Sequence, residues 1–130
     1  MSAGYSGKPL TTKLGIKPGH RVLLLNAPEG FALDAPTVKR ASGTADVILS
    51  FHTERKDLEK RIPVLREHME QAAGLWIAWP KKASRKPTDI TEDVVRDIAL
   101  ANRLVDNKVA AIDETWSGLR LVIRLKDRLP

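Results

Sequence analysis

A buried strand, a basic loop and a helix start follow one another between residues 75 and 93. The apolar run Leu75–Trp79 reads as a strand that stops at Pro80, because proline cannot donate a hydrogen bond inside a sheet. The loop over residues 81 to 86 then holds four cations and no acid, and Thr91, directly before two acids, starts a helix. In open α/β sheets, loops at the carboxyl ends of strands bind ligands. The segment therefore predicts both an α/β fold and a candidate site.

Two further strands and a long helix precede this segment. Arg21–Asn26 carries an unbroken aliphatic run, which suits a strand covered on both faces, and we expect it at the centre of a parallel sheet. Asp46–Phe51 predicts a second strand by its β-branched and apolar content. From Thr53 to Ala73 apolar residues fall at helical spacing, and Gly74 is expected to end that helix. Pro63 inside it predicts either a kink or a break into two helices.

Weaker signals lie on either side of these elements. Residues 29 to 35 are expected to form one or two helical turns, and residues 37 to 41 a short strand. The helix near Thr91, capped by Thr91 or by Asp89 with Glu92, is predicted to extend to about residue 105. Its inward face is expected to hold Val94, Ile98, Ala101 and Val105.

The chain closes with two segments joined by a short turn. Lys108–Thr115 and Leu119–Leu125 predict an antiparallel hairpin, and the second segment alternates aliphatic residues with Arg120 and Arg124, as expected of a strand with one buried and one partly wet face. Strands that alternate with helices before such a hairpin indicate a three-layer α/β fold with a mainly parallel sheet.

Length and composition exclude several classes of protein. A chain of 130 residues is the size of one domain, with residues 1 to 12 as a flexible or extended arm. The absence of cysteine excludes a disulfide framework and cysteine-based zinc or iron–sulfur sites. No apolar run is long enough for a signal sequence or a membrane span, so we expect a cytoplasmic protein of a bacterium-like cell that does not bind membranes.

The net charge of +6 is concentrated in three segments, which lie before residue 29, between residues 81 and 86, and after residue 116. Such a balance favours anionic partners through long-range attraction, although a merely solvated basic surface explains it equally well. A small anionic molecule is the first partner we consider, and a nucleic acid is the second.

The predicted strand ends bring one set of polar and aromatic residues to the same edge of the sheet. Lysine and arginine there can pair with phosphate or carboxylate. The alternative is a mobile, solvated loop, and the spacing Gly-x-x-x-x-Gly-Lys-Ser/Thr of a P-loop is absent. The candidate ligand-binding residues are Asn26, Glu29, Gly30, His52, Trp79, Lys81, Lys82, Ser84, Arg85 and Lys86.

Catalytic and metal sites are not predicted. His52, Glu29 and either Ser84 or Ser117 could form an acid/base or nucleophilic set at the strand ends, but no spacing demands it. The three histidines are too scattered to bind a metal. We therefore expect no metal and no cofactor, and a non-enzyme more readily than an enzyme.

The tryptophans carry separate expectations. Trp76 and Trp79 should point to opposite faces of the sheet, and Trp79 is the better candidate for a wall against which a ligand stacks. Trp116, at the expected hairpin tip, is either folded back over the sheet or displayed for a partner. Display would suit a homodimer, and a monomer is the alternative.

Two resemblances add to this reading. Leu14–Leu25 resembles the entry to the first strand of class I S-adenosylmethionine-dependent methyltransferases, and the later elements are similar to the second half of that Rossmann-like fold. Those enzymes place a glycine-rich turn after the first strand, whereas Asn26–Gly30 has a single glycine, and His52 follows a strand where an acid is usual. The resemblance implies the fold and, as one alternative, a degenerate methyltransferase-like protein.

Five short motifs together are similar to a family of short bacterial proteins known only as a domain of unknown function. That resemblance implies the fold and a bacterial cytosolic setting, without an activity. The motifs are Lys13–Gly19, Asn26–Phe31, Trp79–Lys82, Pro87–Thr91 and Asp113–Ser117.

Overall fold

The computed structural model describes residues 9–129, which form one five-stranded sheet with helices on both faces. Two short 3-10 helices, Lys82–Ser84 and Leu125–Asp127, follow the third and the fifth strand. The main elements in chain order are α1 (Leu10–Leu14), β1 (Val22–Leu25), β2 (Ala45–Phe51), α2 (Arg55–Glu67), β3 (Met69–Pro80), α3 (Glu92–Ala101), β4 (Leu104–Ala111) and β5 (Trp116–Ile123).

The strands lie in the order β1-β2-β3-β5-β4. β1, β2 and β3 pair in parallel, and β5 runs antiparallel to both of its neighbours, β3 and β4. Four of the five strands therefore share a direction, which confirms the α/β fold with a mainly parallel sheet and a C-terminal antiparallel hairpin. The antiparallel strand is internal, and β4 forms the sheet edge on that side.

Each face of the sheet has its own hydrophobic core. α2 and α3 cover one face through residues such as Leu58, Ile62 and Val95, and Trp79 lies in this core. Leu14 of α1 covers the other face, where Trp76 is fully buried. The prediction that Trp76 and Trp79 point to opposite faces is confirmed.

The predicted central position of β1 is wrong, because β1 is an edge strand. Both of its faces are nevertheless buried, and its open edge is covered by a single parallel bridge between Leu23 and Val38. This bridge is what remains of the strand expected over residues 37 to 41. The aliphatic run correctly indicated burial on both faces, which a covered edge strand also has.

The boundary between α2 and β3 lies well before its predicted position. The helix ends at Glu67, and β3 begins at Met69, so Gly74 is inside a strand and does not end the helix. Pairing with β2 jumps from Met69 to Gly74 across a register shift. Residues 69 to 73 are thus an irregular strand segment whose apolar spacing resembles a helical period. α2 itself continues through Pro63, so the alternative of two separate helices is wrong.

α3 is shorter than predicted, since it ends at Ala101 rather than near residue 105. Asn102 ends it by donating from Nδ2 to the Ile98 carbonyl at 2.9 Å, and Arg103 adopts a positive φ of 60° before β4 begins. The cap at Thr91 is as predicted, its Oγ1 accepting from the amide of Val94. The buried face holds Val95, Ile98 and Ala99, so the expectation that Ala101 and Val105 lie on the inward face of this helix is wrong.

The hairpin is confirmed, with a shifted turn. Trp116 starts β5 instead of forming the tip, and β5 ends at Ile123, so Leu125 lies beyond it and is 80% exposed. The ladder between β4 and β5 carries a bulge, because Asp106 pairs with Leu121 and Lys108 with Arg120.

Two further predictions fail on the N-terminal side. Residues 29 to 35 form turns and extended chain without a helix, and residues 10 to 12 belong to α1 instead of an arm. Residues 1 to 8, the rest of the expected arm, lie outside the described residues. No helix over residues 9–129 has the length and apolar character that a membrane crossing requires.

Candidate functional site

A cavity of about 530 Å³ opens at the carboxyl edge of the parallel strands. It lies between α1, the loop that follows β1 and the turn that joins β4 to β5. Its size falls in the range of small-molecule sites. Its apolar wall includes Leu10, Phe31, Ile112 and Trp116, and its polar wall includes Lys13, Glu29, Asp113 and Thr115.

Two aromatic rings, Phe31 and Trp116, line this cavity, and the ring of Phe51 packs against both. Phe51 lies between Phe31 and Trp116, with ring centroids 4.9 and 5.0 Å away and edge-to-face angles of 66° and 88°. Such a geometry is favourable for aromatic pairs. Trp116 is only 5% exposed, so it is folded back over the sheet and is not displayed for a partner.

Asp113 fixes the turn that forms one side of the cavity. Its Oδ1 accepts hydrogen bonds from the amides of Thr115 and Trp116, both at 2.8 Å. The amide of Ile112 donates to the Trp116 carbonyl at 2.9 Å and closes the hairpin. The Asp113 carboxylate therefore holds the indole and the Thr115 carbonyl in place. Its Oδ1 is already engaged by hydrogen bonds within the turn.

The loop after β1 forms the opposite side. Asn26 leaves the strand with a φ of 57°, and Gly30 has a φ of 83°, a conformation that favours glycine. The amide of Phe31 donates to the Pro28 carbonyl at 3.0 Å, which turns the ring toward Phe51. The same loop lines a second cavity of about 390 Å³ together with Lys39. Asn26, Glu29 and Gly30 thus lie together in the lining of this second cavity.

The basic loop over residues 81 to 86 lies beside the first cavity, outside its lining. The Lys81 amide donates to the Thr115 carbonyl at 2.8 Å and ties the loop to the cavity wall. Ser84 shapes the loop, because its hydroxyl donates to the Lys81 carbonyl at 2.7 Å and accepts from the Lys86 amide. Within residues 9–129, none of the four cations forms an ion pair with an acid.

His52 is buried beneath α2, away from both cavities. Its Nε2 lies 2.7 Å from Ser50 Oγ, and its Nδ1 lies 2.7 Å from Asp57 Oδ2. A carboxylate only accepts, so Nδ1 carries the proton and Nε2 accepts from the serine hydroxyl. Burial lowers the pKa of His52, and the hydrogen bond to Asp57 opposes that change.

This Ser50–His52–Asp57 chain has the bonding order of a serine hydrolase triad. Ser50, however, has no exposed surface and His52 is 2% exposed, so a substrate has no path to the serine oxygen. We interpret the chain as a buried polar network that joins β2 to α2. The set considered from the sequence, His52 with Glu29 and Ser84 or Ser117, is not formed by His52, whose two ring nitrogens already have these partners.

Trp79 is the last of the predicted ligand-binding residues. Trp79 is 7% exposed in the core under α2 and α3, and it lines neither cavity.

The sequence prediction also missed part of the site, because α1 brings Lys13 and Leu10 to the cavity over a long separation in the chain. Asp113 was the local signal available, since an aspartate side chain typically accepts from a backbone amide two residues on in such turns. In the described part of the chain, no three acidic or histidine side chains cluster as metal ligands would.

Comparison with solved structures shows a likeness in fold to several methyltransferases and to LepI. The ribosomal protein L11 methylase of Lactobacillus delbrueckii subsp. bulgaricus is 12% identical with a TM-score of 0.57, over 88% of this chain and 75% of that one. The magnesium protoporphyrin IX methyltransferase of Synechocystis PCC 6803 with bound SAM is 12% identical with a TM-score of 0.53, over 73% of this chain and 49% of that one. The LepI complex with SAM is 10% identical with a TM-score of 0.58, over 88% and 39%.

These likenesses establish a Rossmann-like, methyltransferase-like fold. The chain spans between about two fifths and three quarters of the length of these neighbours. No protein-family model matches the chain, and no curated protein is similar enough in sequence to count as a relative. The resemblance to a bacterial family of unknown function therefore stays a prediction.

Proposed function

We propose that this protein binds a small anionic ligand at the carboxyl edge of its sheet. One observation carries the proposal: the hydrogen bond from the Lys81 amide to the Thr115 carbonyl joins a loop of four cations to the wall of a ligand-sized cavity. A ligand can thus place an apolar or ring portion against Phe31 and Trp116 while its anionic group meets the basic loop.

The distribution of charge supports a ligand with two distinct parts. The cavity wall carries the carboxylates of Glu29 and Asp113 beside Lys13, which makes it unsuitable for a multiply charged anion. The adjoining loop has cations only, and Lys82, Arg85 and Lys86 are exposed to solvent. A nucleoside phosphate has the required form, since a neutral ring system is linked to an anionic tail.

Binding without catalysis is the function that the side chains support. Ser50 and His52, which have the bonding order of a catalytic set, are inaccessible. The carboxylate of Asp113 is committed to two backbone amides at the hairpin turn. The cavity walls thus offer surfaces for recognition, and we assign no reaction to them.

Isothermal titration calorimetry with a panel of nucleoside mono- and triphosphates and sugar phosphates tests the proposal. A double substitution, Lys82→Ala with Arg85→Ala, is expected to weaken binding at least about tenfold, because a hydrogen bond to a charged group contributes about 1.5–3 kcal/mol. The matched control is Lys60→Ala with Lys126→Ala, which removes two exposed cations elsewhere and should leave the affinity unchanged. Equal losses in both doubles, or no binding by any phosphate-bearing ligand, would refute the proposal.

A degenerate methyltransferase-like protein that binds S-adenosylmethionine is the second candidate. Its support is the loop Asn26–Gly30, which follows the first strand of a methyltransferase-like fold and lines both cavities with Glu29 and Gly30. This ligand carries a sulfonium and an ammonium group, so a carboxylate at Glu29 suits it.

The same calorimeter separates the two candidates. For S-adenosylmethionine, Glu29→Gln should weaken binding and the Lys82/Arg85 double should not. For a nucleoside phosphate, the Lys82/Arg85 double should weaken binding and Glu29→Gln should not. The absence of heat with S-adenosylmethionine at millimolar concentration would exclude the second candidate.

A further inference from the structure

A smaller cavity of about 270 Å³ lies on the α1 side of the sheet, between the end of α1 and the strands β4 and β5. Thr12 and Gly15 line it from the α1 segment, and Asn107, Lys108 and Arg120 line it from the strands. It shares only Lys13 with the larger cavity at the carboxyl edge, and no residue of the basic loop contributes to it. Its volume is below that of most sites for drug-sized ligands, and it suits a small ion or a single small group.

Arg120 lines this cavity, and a glycine beside it makes room for its side chain. Arg120 pairs across the strands with Trp76 on one side and Lys108 on the other. Its guanidinium lies over Gly74 of β3, where a Cβ atom would be 2.5 Å from Nε and 2.9 Å from Cζ. Any other residue at position 74 would displace the group. The glycine at position 74 therefore leaves the space that the Arg120 guanidinium fills on this face of the sheet.

This guanidinium has cationic neighbours and no acidic partner. Within residues 9–129 no carboxylate lies within ion-pair distance of Arg120, and no hydrogen bond from its guanidinium is made to another described residue. Burial, and then the charge of Arg128, lower the pKa of Arg120, although it stays protonated. A half-buried charge that repels its neighbours costs stability unless a counter-ion compensates it.

Lys108 is already positioned beside this group. Its Nζ donates to the Lys13 carbonyl at 3.0 Å, which anchors the side chain at the cavity that both residues line. An ammonium has three N–H donors, so two remain available. The lining of the cavity thus includes a residue with a planar fork of donors and a second, fixed cation.

We propose that this cavity is a second anion site, which binds a tetrahedral oxyanion of the phosphate type between Arg120 and Lys108. The guanidinium holds two oxygens in the bidentate manner typical of arginine, and the Lys108 ammonium holds a third. The ligand is either free phosphate or the phosphate group of a small metabolite. The site does not depend on the ligand proposed for the carboxyl edge, because the basic loop takes no part in it.

Inorganic phosphate is the probe for the test. It is titrated into the 15N-labelled protein at constant ionic strength, with chloride as the balancing anion, while the Nε–H resonance of Arg120 and the thermal unfolding midpoint are followed. We expect a saturable shift of that resonance and a rise in the midpoint beyond that seen in chloride. Glycerol phosphate in a parallel titration distinguishes the sources, since a response to it extends the site to phosphate groups on larger molecules, whereas a response to inorganic phosphate alone restricts it to the free ion.

Three variants make the result decisive. Arg120→Gln should weaken phosphate binding at least tenfold, and Gly74→Ala should do the same by displacing the guanidinium while keeping its charge. Lys108→Gln, at an exposed position, tests the cavity even if the strand variants fold poorly. The control Lys60→Gln should bind as the unchanged protein does. Equal phosphate responses in all of these proteins, or a response no larger than that to chloride, would overturn the proposal.

Discussion

His52 couples the stability of the fold to pH through a single side chain. It is 2% exposed, accepts from Ser50 and donates to Asp57, whose own side chain is 50% exposed. Because burial lowers its pKa below the ordinary value of 6.5, the folded protein holds the ring neutral where the unfolded chain would protonate it. The unfolded state then binds more protons, so stability falls as the pH falls below about 6.5.

We therefore predict that acid destabilises the protein through His52 before its carboxylates titrate. The free energy of unfolding, measured by denaturant titration between pH 5 and pH 8, should decrease below about pH 6.5, by up to about 1.4 kcal/mol per unit of pKa difference. His52→Gln should show a flatter profile. Because His20 and His68 remain in both proteins, the difference between the profiles reports His52 alone, and superimposable profiles would contradict the prediction.

At the scale of elements, α2 contains a proline, a residue that is unfavourable inside a helix. Pro63 lies in the interior of the 13-residue helix, where it cannot donate to the carbonyl of Glu59, and its side chain is exposed. The packing of Leu58, Ile62 and Leu65 into the core evidently outweighs this cost, since the helix continues to Glu67. Tertiary burial decides here against local propensity.

Pro63→Ala should stabilise the protein by about 1–3 kcal/mol, because it restores one helical hydrogen bond and removes a steric conflict. Part of this gain is offset because alanine increases the entropy of the unfolded chain. Chemical unfolding followed by circular dichroism measures the change. The nearby exposed substitution Lys60→Ala should stay within about 0.5 kcal/mol, and a destabilised Pro63→Ala variant would show that the proline has a role of its own.

β5 pairs with β3, and at one position of β5 no side chain fits. Gly118 pairs with Ala78 and Ala110, and a Cβ atom on it would lie 2.8 Å from Ile112 Cδ1 and 3.1 Å from Trp76 Cε3. Gly118→Ala should therefore destabilise the protein by about 1–3 kcal/mol in a urea titration. Adding Ile112→Val removes the closest methyl group and should recover part of the loss. If Gly118→Ala proves as stable as Ser117→Ala, the close approach is relieved elsewhere.

How far the sequence predicted these elements depends on which interactions define them. β2 was located to within a residue, because its apolar and β-branched content is local information. The start of β3 was missed, because the pairing between Met69 and Ala45 is a contact that local periodicity cannot contain. The site divides in the same way: Asn26, Glu29 and Gly30 are neighbours in the chain, whereas the contribution of α1 depends on packing across the sheet.

For the molecule as a whole, the basic segments do not form one surface. The loop over residues 81 to 86 follows the carboxyl end of β3, whereas Arg124, Lys126 and Arg128 follow the end of the antiparallel β5. These two groups lie beyond opposite ends of the strands, separated by the length of an eight-residue strand, roughly 27 Å. A nucleic acid that contacts one group extends away from the other unless it wraps around the sheet.

We accordingly predict weak binding to RNA and DNA that disappears at physiological salt. Fluorescence anisotropy with a single-stranded 20-mer, measured between 20 and 200 mM salt, should show a small slope of affinity with salt, since few phosphates are neutralised at once. Neutralising Arg124 and Lys126 should change the binding no more than neutralising Lys82 and Arg85. Tight binding at 150 mM salt that needs both groups would favour the nucleic-acid alternative over a small ligand.

The bulge in β4 affects how copies of this protein meet one another. β4 is one of the two edge strands of the sheet, and an open edge is a template onto which another strand can add. Asn107 is the extra residue between Asp106 and Lys108, so the regular alternation of amide and carbonyl groups is interrupted in the middle of the strand. A strand from a second copy would lose its register there and would also meet the charge of Lys108. The same irregularity that sets Lys108 beside Arg120 thus opposes the addition of a second strand at β4.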